Sequence, residues 1–169
     1  MHLSQSLLAE LDRELPATRK TLERIPEDKV AWKPHDKSMT LGRLAGHVAE
    51  LLGFGAMILQ SEFMDLDQRR SSGSKPTVAE TREQIVSVFD KNAADLRAAI
   101  ANTSDDEFSK KWSLIYKGKT LFAGPKSAAL RAMSLSHMVH HRAQLGVYLR
   151  LNNVAVPSIY GPSADEGYM

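Results

Sequence analysis

Four stretches of the chain repeat apolar residues at intervals of three and four, the spacing that puts them on one face of a helix. The first runs from Ser4 to Ile25, with Leu7, Leu8, Leu11, Leu15, Leu22 and Ile25 on its stripe, Ser4 as its N-cap and Pro26 at its end. Pro16 falls inside it, and an interior proline costs about 3 kcal/mol, so the pattern predicts a kink there or a helix that restarts at Pro16. Thr40 caps the second helix, which carries Leu44, His47, Val48, Leu51, Leu52, Gly55, Ile58 and Leu59 on one face. The third opens on Thr77 and Glu80, read as a capping box, and continues through Ile85, Phe89, Asn92, Leu96 and Ile100. The fourth starts at Gly124-Pro125 and runs to about Leu151, where Asn152-Asn153 stop it. Its stripe reads Leu130, Ser134, His137, His141, Gln144, Tyr148, Leu151, apolar at the ends and polar in the centre. Such a helix builds core at both ends and a site in the middle.

The intervening segments lose this period. Residues 27–39 form an ordered connection whose Trp32 tucks under the helices, with His35 beside Pro34 as a loop histidine. Asp65 to Lys75 reads as a polar, flexible connection. Between Asn102 and Gly124, Trp112, Leu114, Tyr116, Thr120 and Phe122 alternate around Lys117-Gly118, as in a short irregular hairpin or a loop closed by its own aromatics. The tail from Val154 to Met169, with Pro157 and Pro162, is expected to lie extended on the helices or on a partner subunit. With no repeat and no linker, the chain reads as one all-α domain over residues 1–169. Gly42, Gly46, Gly53 and Gly55 are unusual inside a helix, where each costs up to about 1 kcal/mol against Ala; close approach of a neighbouring helix or a ligand accounts for them.

Composition narrows the chemistry. Lys and Arg number 22 against 20 Asp and Glu, a net charge of +2, with no basic run and no aromatic residues interleaved with basic ones, so nucleic acid is not an expected partner. The chain has no cysteine, which excludes disulfides, thiolate ligands, iron-sulfur clusters and a cysteine nucleophile. Any metal must therefore take histidine or carboxylate ligands. No basic leader precedes an apolar run and no eighteen apolar residues occur together, so a cytoplasmic protein without a membrane span is expected.

The candidate chemistry sits in the polar centre of the fourth helix. His137 and His141, one turn apart, project from the same face about 6 Å apart along the axis. His47 lies on the apolar stripe of the second helix. A lone histidine there is ordinarily a satisfied core residue, but three neutral imidazoles meeting between helices would hold one divalent transition metal with a coordination position free, the pattern of a catalytic site. His140 points about 100° away, towards another helix or a dimer partner. Met138, Val139 and His140 separate the pair with no glutamate to act as a base, so zincin-type peptide hydrolysis is not expected. Arg142 and Gln144 are candidates for supporting the ligands or contacting an anion. No catalytic serine elbow, P-loop or dinucleotide fingerprint occurs.

The chain resembles the DinB-like, or YfiT-like, family. The matching pieces are Leu41-Gly42-Arg43-Leu44-Ala45-Gly46-His47, His137-Met-Val-His-His141-Arg-Ala-Gln144-Leu, and Val156-Pro-Ser-Ile-Tyr-Gly-Pro-Ser-Ala-Asp-Glu166, with Pro16-Ala-Thr-Arg19 and Trp32-Lys-Pro-His-Asp-Lys-Ser38 in support. Ala143 replaces the usual glycine after His-Arg, at the expense of slightly closer helix packing. The resemblance implies a four-helix bundle, often a homodimer, with zinc or nickel held by His47, His137 and His141; iron or manganese are further options. The family name records induction by DNA damage, not DNA binding. Relatives include S-transferases using bacillithiol or mycothiol and a thiol-dependent maleylpyruvate isomerase. The expected function is thus a metal-dependent enzyme joining a low-molecular-weight thiol to a small electrophile. The alternatives are a metal-dependent hydrolase and a non-catalytic helical dimer, stress-associated, with a structural metal or none. Asp165 or Glu166 filling the fourth coordination position would favour the structural reading.

Overall fold

The structure, a computed structural model, describes residues 2–73, 75–78 and 80–167. Ser74, inside the Asp65–Lys75 segment, and Tyr168 and Met169, at the end of the tail, lie outside the described residues. Helix α1 (Leu3–Leu22) is followed by a short 3₁₀ turn (Glu27–Lys29) and α2 (Leu41–Gln60). Strand β1 (Phe63–Asp65) then leads into α3 (Leu66–Ser71), α4 (Arg82–Ala101) and α5 (Asp105–Ser109). Strands β2 (Lys111–Tyr116) and β3 (Lys119–Pro125), α6 (Lys126–Leu130), a π-helical turn (Arg131–Leu135) and α7 (Ser136–Leu151) complete the order. The four expected helical stretches are present, and α2 lies against both α4 and α7. Among the described residues, no helix is long and apolar enough to cross a membrane.

Helix boundaries moved wherever a distant residue supplied a cap. α1 begins at Leu3, not after Ser4, because Asp105 of α5 accepts from the Leu3 N–H at 3.0 Å and contacts the His2 ring at 3.1 Å. A carboxylate at a helix N-terminus satisfies orphan donors and meets the positive end of the dipole. The helix passes through Pro16 without restarting. Pro16 and Asp12, whose carbonyl would have been its partner, are both exposed, so water can replace the missing N–H. The expected Thr77–Glu80 capping box is not formed. Thr81 and Gln84 form it instead, because Thr77 is drawn onto α2: its N–H donates to the Glu50 carboxylate and its carbonyl accepts from Arg43 at 3.2 Å.

The domain is not all-α. The 102–124 segment folds as a hairpin, with Lys117 (φ 50°) and Gly118 (φ 68°) as its two left-handed turn residues. β2 pairs Leu114 with Phe122 and Ile115 with Thr120, so Leu121 is the unpaired residue of a bulge. β1 adds in parallel to β2, with Met64 opposite Leu114, making a three-stranded sheet. The supposed flexible connection after Asp65 therefore contributes a strand residue and the short helix α3. Two apolar cores result. The larger lies between the long helices around Leu11, Leu44, Leu52, Phe89 and Leu96, and the smaller, under the sheet, gathers Ile58, Met64, Trp112 and Ala129. Trp112 is fully buried and its indole N–H donates to Ser61 at 3.1 Å. Trp32 does tuck in, edge-on to Tyr148 at 5.5 Å between centroids.

The last helix is interrupted where it meets α2. Ser134, in the π-helical turn, is buried and donates to the Leu51 carbonyl at 2.7 Å. Its hydroxyl occupies the space a side chain at Gly55 would need: a Cβ there would lie 2.5 Å from Ser134 Oγ. That close approach brings the two histidine-bearing helices together. The tail packs on the bundle, with Glu166 accepting from Lys20, Arg24 and the Ser158 N–H.

Two expectations follow. Gly55→Ala gains helix propensity but must displace a buried, hydrogen-bonded hydroxyl, so overpacking should win by about 1–2 kcal/mol and lower the melting temperature by several degrees. An unchanged melting temperature in a thermal scan would show that the contact yields freely. The hydrogen bonds from Lys20, Arg24 and Ser158, against weak desolvation, hold the Glu166 carboxyl down at about 2. Because the folded value lies below the unfolded one of about 4.3, its contribution is complete above that value and is lost as pH falls towards 2. Urea titrations across this window should show a smaller acid loss for Glu166→Gln than for the parent.

Candidate metal centre

His47 on α2 and His137 and His141 on α7 are brought together where the two helices cross. One ligand nitrogen from each lies within 4.8 Å of the others, a cluster that could hold a metal ion. The ring centroids are 4.6 to 5.1 Å apart. His137 Nε2 and His141 Nε2 are separated by only 2.9 Å.

The outward-facing nitrogens bear on how the protons of this pair are arranged. His141 Nδ1 lies 2.8 Å from Gln144 Oε1, an acceptor, and so carries the proton. The backbone at Met133 favours the charged form of the His137 ring. The two Nε2 atoms lie within hydrogen-bonding distance, and when both neutral rings carry their proton on Nδ1 they turn two lone pairs towards one another. His47, His137 and His141 are the residues that would hold a divalent ion here, each through one ring nitrogen. His47 Nδ1 lies 3.8 Å from Glu50, which leaves its Nε2 for the cluster. Gln144 thus backs His141 with an oxygen acceptor, as metal-bound histidines normally are backed, and the Glu50 carboxylate stands near His47.

Burial favours the uncharged forms of His137 and His141. It lowers His137 below the usual histidine range, assisted by the neighbouring histidines and opposed by the Met133 bond. For His141, burial and the same neighbours outweigh the Gln144 bond and bring it to about 4. Neutral imidazoles present lone pairs without first losing a proton. Burial would raise Glu50, but hydrogen bonds from His47 and Thr77 and the Arg43 charge outweigh it and hold the carboxylate at about 2.

The cluster opens on one side. His47 and His137 line a cavity of about 370 Å³ whose apolar wall includes Phe54, Met64, Leu114 and Met133, with Arg43, Arg69, Arg70 and Lys75 among its polar residues. The sheet supplies Met64 and Leu114, and α3 supplies Leu66, Arg69 and Arg70. Arg43 pairs with Glu50 at 3.1 Å, and the two grip both backbone groups of Thr77. Residues 75–77 thereby form a strap beside the ligands. Gly46 permits it, since a Cβ there would meet the Thr77 carbonyl oxygen at 2.1 Å.

The sequence profile of the DinB superfamily matches residues 10–145, from α1 to the last turns of α7. The chain belongs to the DinB superfamily. It is 26% identical over 153 residues to the uncharacterised protein YrdA of Bacillus subtilis (strain 168), covering 90% of this chain and 85% of YrdA. Its fold is that of two crystallised DinB-like proteins. For YjoA of Bacillus subtilis the TM-score is 0.69 at 15% identity, covering 91% of this chain and 97% of that one. For a Bacillus cereus ATCC 10987 protein it is 0.67 at 20% identity, covering 92% and 97%. A mycothiol-dependent maleylpyruvate isomerase superposes with a TM-score of 0.54 at 17% identity, over 85% of this chain and 60% of the isomerase.

The other expected site residues of this DinB protein divide. Gln144 bridges His141 and His140, its amide nitrogen lying 3.0 Å from His140 Nε2. His140 itself is exposed. Arg142 is placed away from the histidines, because adjacent helical residues project about 100° apart. It is 2% exposed and donates to Glu14 Oε2 at 2.8 Å, Thr18 Oγ1 at 3.0 Å and the Tyr160 hydroxyl at 2.6 Å. Its role is to join α7 to α1 and the tail, not to contact an anion. Asp165 and Glu166 do not reach the cluster either: Asp165 accepts from Arg150 and the Val156 N–H, and Glu166 is held as described above. Sequence reading missed Glu50, although its position three residues after His47 was a usable signal, and missed Arg69 and Arg70 by taking their segment for a connection.

Replacing Gln144 by Leu removes the acceptor that sets the His141 tautomer while leaving an exposed position apolar. Metal affinity should fall by about 10–100-fold. Competition with a chromophoric chelator checks this, with an unchanged melting temperature of the metal-free variant showing that the fold is intact.

Proposed function

We propose that this DinB protein is a metal-dependent enzyme that joins a low-molecular-weight thiol to a small electrophile. The observation that carries the reading is the histidine cluster open on one side to a largely apolar cavity. A structural site would close its fourth position with a protein ligand, and the acidic residues of the tail are engaged elsewhere.

His47, His137 and His141 would hold the ion, with zinc or nickel best suited to three imidazoles and iron or manganese as further options. Such an ion supplies Lewis acidity, favouring the deprotonated form of a thiol at its open position. Glu50 and Gln144 fix the orientation of His47 and His141. Phe54, Met64 and Leu114 provide a dry surface for the body of the electrophile and limit competition from water. The chain has no cysteine of its own, so the sulfur nucleophile must come from outside. The shared fold with a mycothiol-dependent enzyme supports a thiol rather than water as the incoming group. A homodimer fits this reading too, since Val147 and Leu151 on α7 are more than half exposed and would gain from burial. A cytoplasmic location, where such thiols are kept reduced, completes it.

Elemental analysis of untagged protein should find about one divalent transition ion per chain, and little in His47→Ala. The metal-loaded parent should then conjugate bacillithiol, mycothiol or glutathione to monochlorobimane, with turnover lost and the melting temperature largely kept in His141→Ala. No metal after reconstitution would overturn the reading. A collapse of His141→Ala in the thermal scan would move the ion to a structural role.

A further inference from the structure

We infer that the cavity beside the histidines is a carboxylate-binding pocket, in which Arg69 and Arg70, with Lys75, receive the acid group of a molecule whose apolar body lies on Phe54, Met64 and Leu114. The assignment of that molecule as the electrophile or the thiol rests on the function proposed above; the pocket's preference for an organic acid does not.

The charge balance of the cavity carries the argument. Its lining contains four cationic side chains and one carboxylate, and that carboxylate is spent: Glu50 is paired with Arg43 at 3.1 Å and bound to the Thr77 N–H. Three cations are left. Among the described residues, Arg69, Arg70 and Lys75 form no ion pair with Asp or Glu. The acids nearest in sequence are committed to backbone groups. Asp65 caps α3 through the N–H groups of Asp67 and Gln68, and Asp67 accepts from the Lys117 N–H at 2.6 Å.

The arginines are also held in place. Arg70 donates to the Tyr116 hydroxyl at 3.3 Å, with its guanidinium carbon 5.3 Å from the centre of that ring. Arg69 has its Nη1 4.0 Å from the sulfur of Met57. Both contacts restrain a guanidinium while leaving N–H donors for a planar acid group, the geometry arginine reads best. Two adjacent cations without a counter-charge repel one another, and a bound carboxylate would relieve this. The apolar wall below them then selects an organic acid over a small inorganic anion.

Titration calorimetry on full-length, metal-free protein tests this with 2-naphthaleneacetate and its neutral isostere, 2-naphthaleneacetamide. The acid should bind about tenfold or more tightly than the amide, and added salt should narrow the gap because the arginines lie at the exposed rim. In the Arg69→Gln/Arg70→Gln double variant the preference should vanish with amide affinity unchanged; Phe54→Ala should weaken both probes alike. A parent without the preference, or a double variant that keeps it, overturns the inference. Glutathione, which carries carboxylates, competing with the acid when cysteamine does not would assign the pocket to the thiol; neither competing would assign it to the electrophile. The measurement is independent of the metal. A preference as expected in a protein that takes up no metal would sink thiol transfer and keep the pocket, whereas metal uptake with no preference would do the reverse.

Discussion

Three imidazoles from two helices drawn onto one point, with two of their nitrogens 2.9 Å apart, are the constraint around which this molecule is arranged. Such a cluster persists only where the surrounding structure positions each ring. Here the surroundings act from several sides. Gln144 stands behind His141, Glu50 stands behind His47, and burial favours the neutral forms of His137 and His141. Below them, Ser134 against Gly55 sets how closely α2 and the last helix approach. On the opposite side of α7, the buried Arg142–Glu14 pair with Tyr160 fixes the helix's rotation. Removing one partner of such a pair leaves an uncompensated charge, which costs several kcal/mol.

The parts that are not long helices serve the cavity. The three-stranded sheet brings Met64 and Leu114 to the wall facing the histidines, and α3 hangs Arg69 and Arg70 at its rim. The strap at Thr77 is held by the same Glu50 that supports His47, so one carboxylate links the ligand set to the cavity edge. The added sheet and strap border the cavity on which His47 and His137 open.

Much of the fold was legible in the residues. Apolar periods of three and four marked all four long helices, and the polar centre of the last one marked where His137 and His141 meet His47. Lys117-Gly118 between alternating residues announced a turn, and the structure resolved the choice left open there in favour of a hairpin. What periodicity could not register was partnership at a distance. Asp105 capping α1 and Glu50 drawing Thr77 out of its capping box both act between residues remote in sequence. Strand β1 was similarly invisible, because three residues carry no measurable period and acquire their conformation by pairing with β2.

Sequence alone determined the donor chemistry of this protein: no cysteine, two histidines one turn apart, a third on another apolar stripe, and the motifs that mark a DinB chain. It also determined where the four long helices and the Lys117-Gly118 turn lie, though not where each helix begins. Only the tertiary structure decided that the three rings share one point, that Arg142 turns from them to Glu14, and that Arg69 and Arg70 reach the same cavity as His47 and His137. Those outcomes rest on the rotation and spacing of packed helices and on strand pairing, and these are set by side chains from opposite ends of the chain filling a common volume.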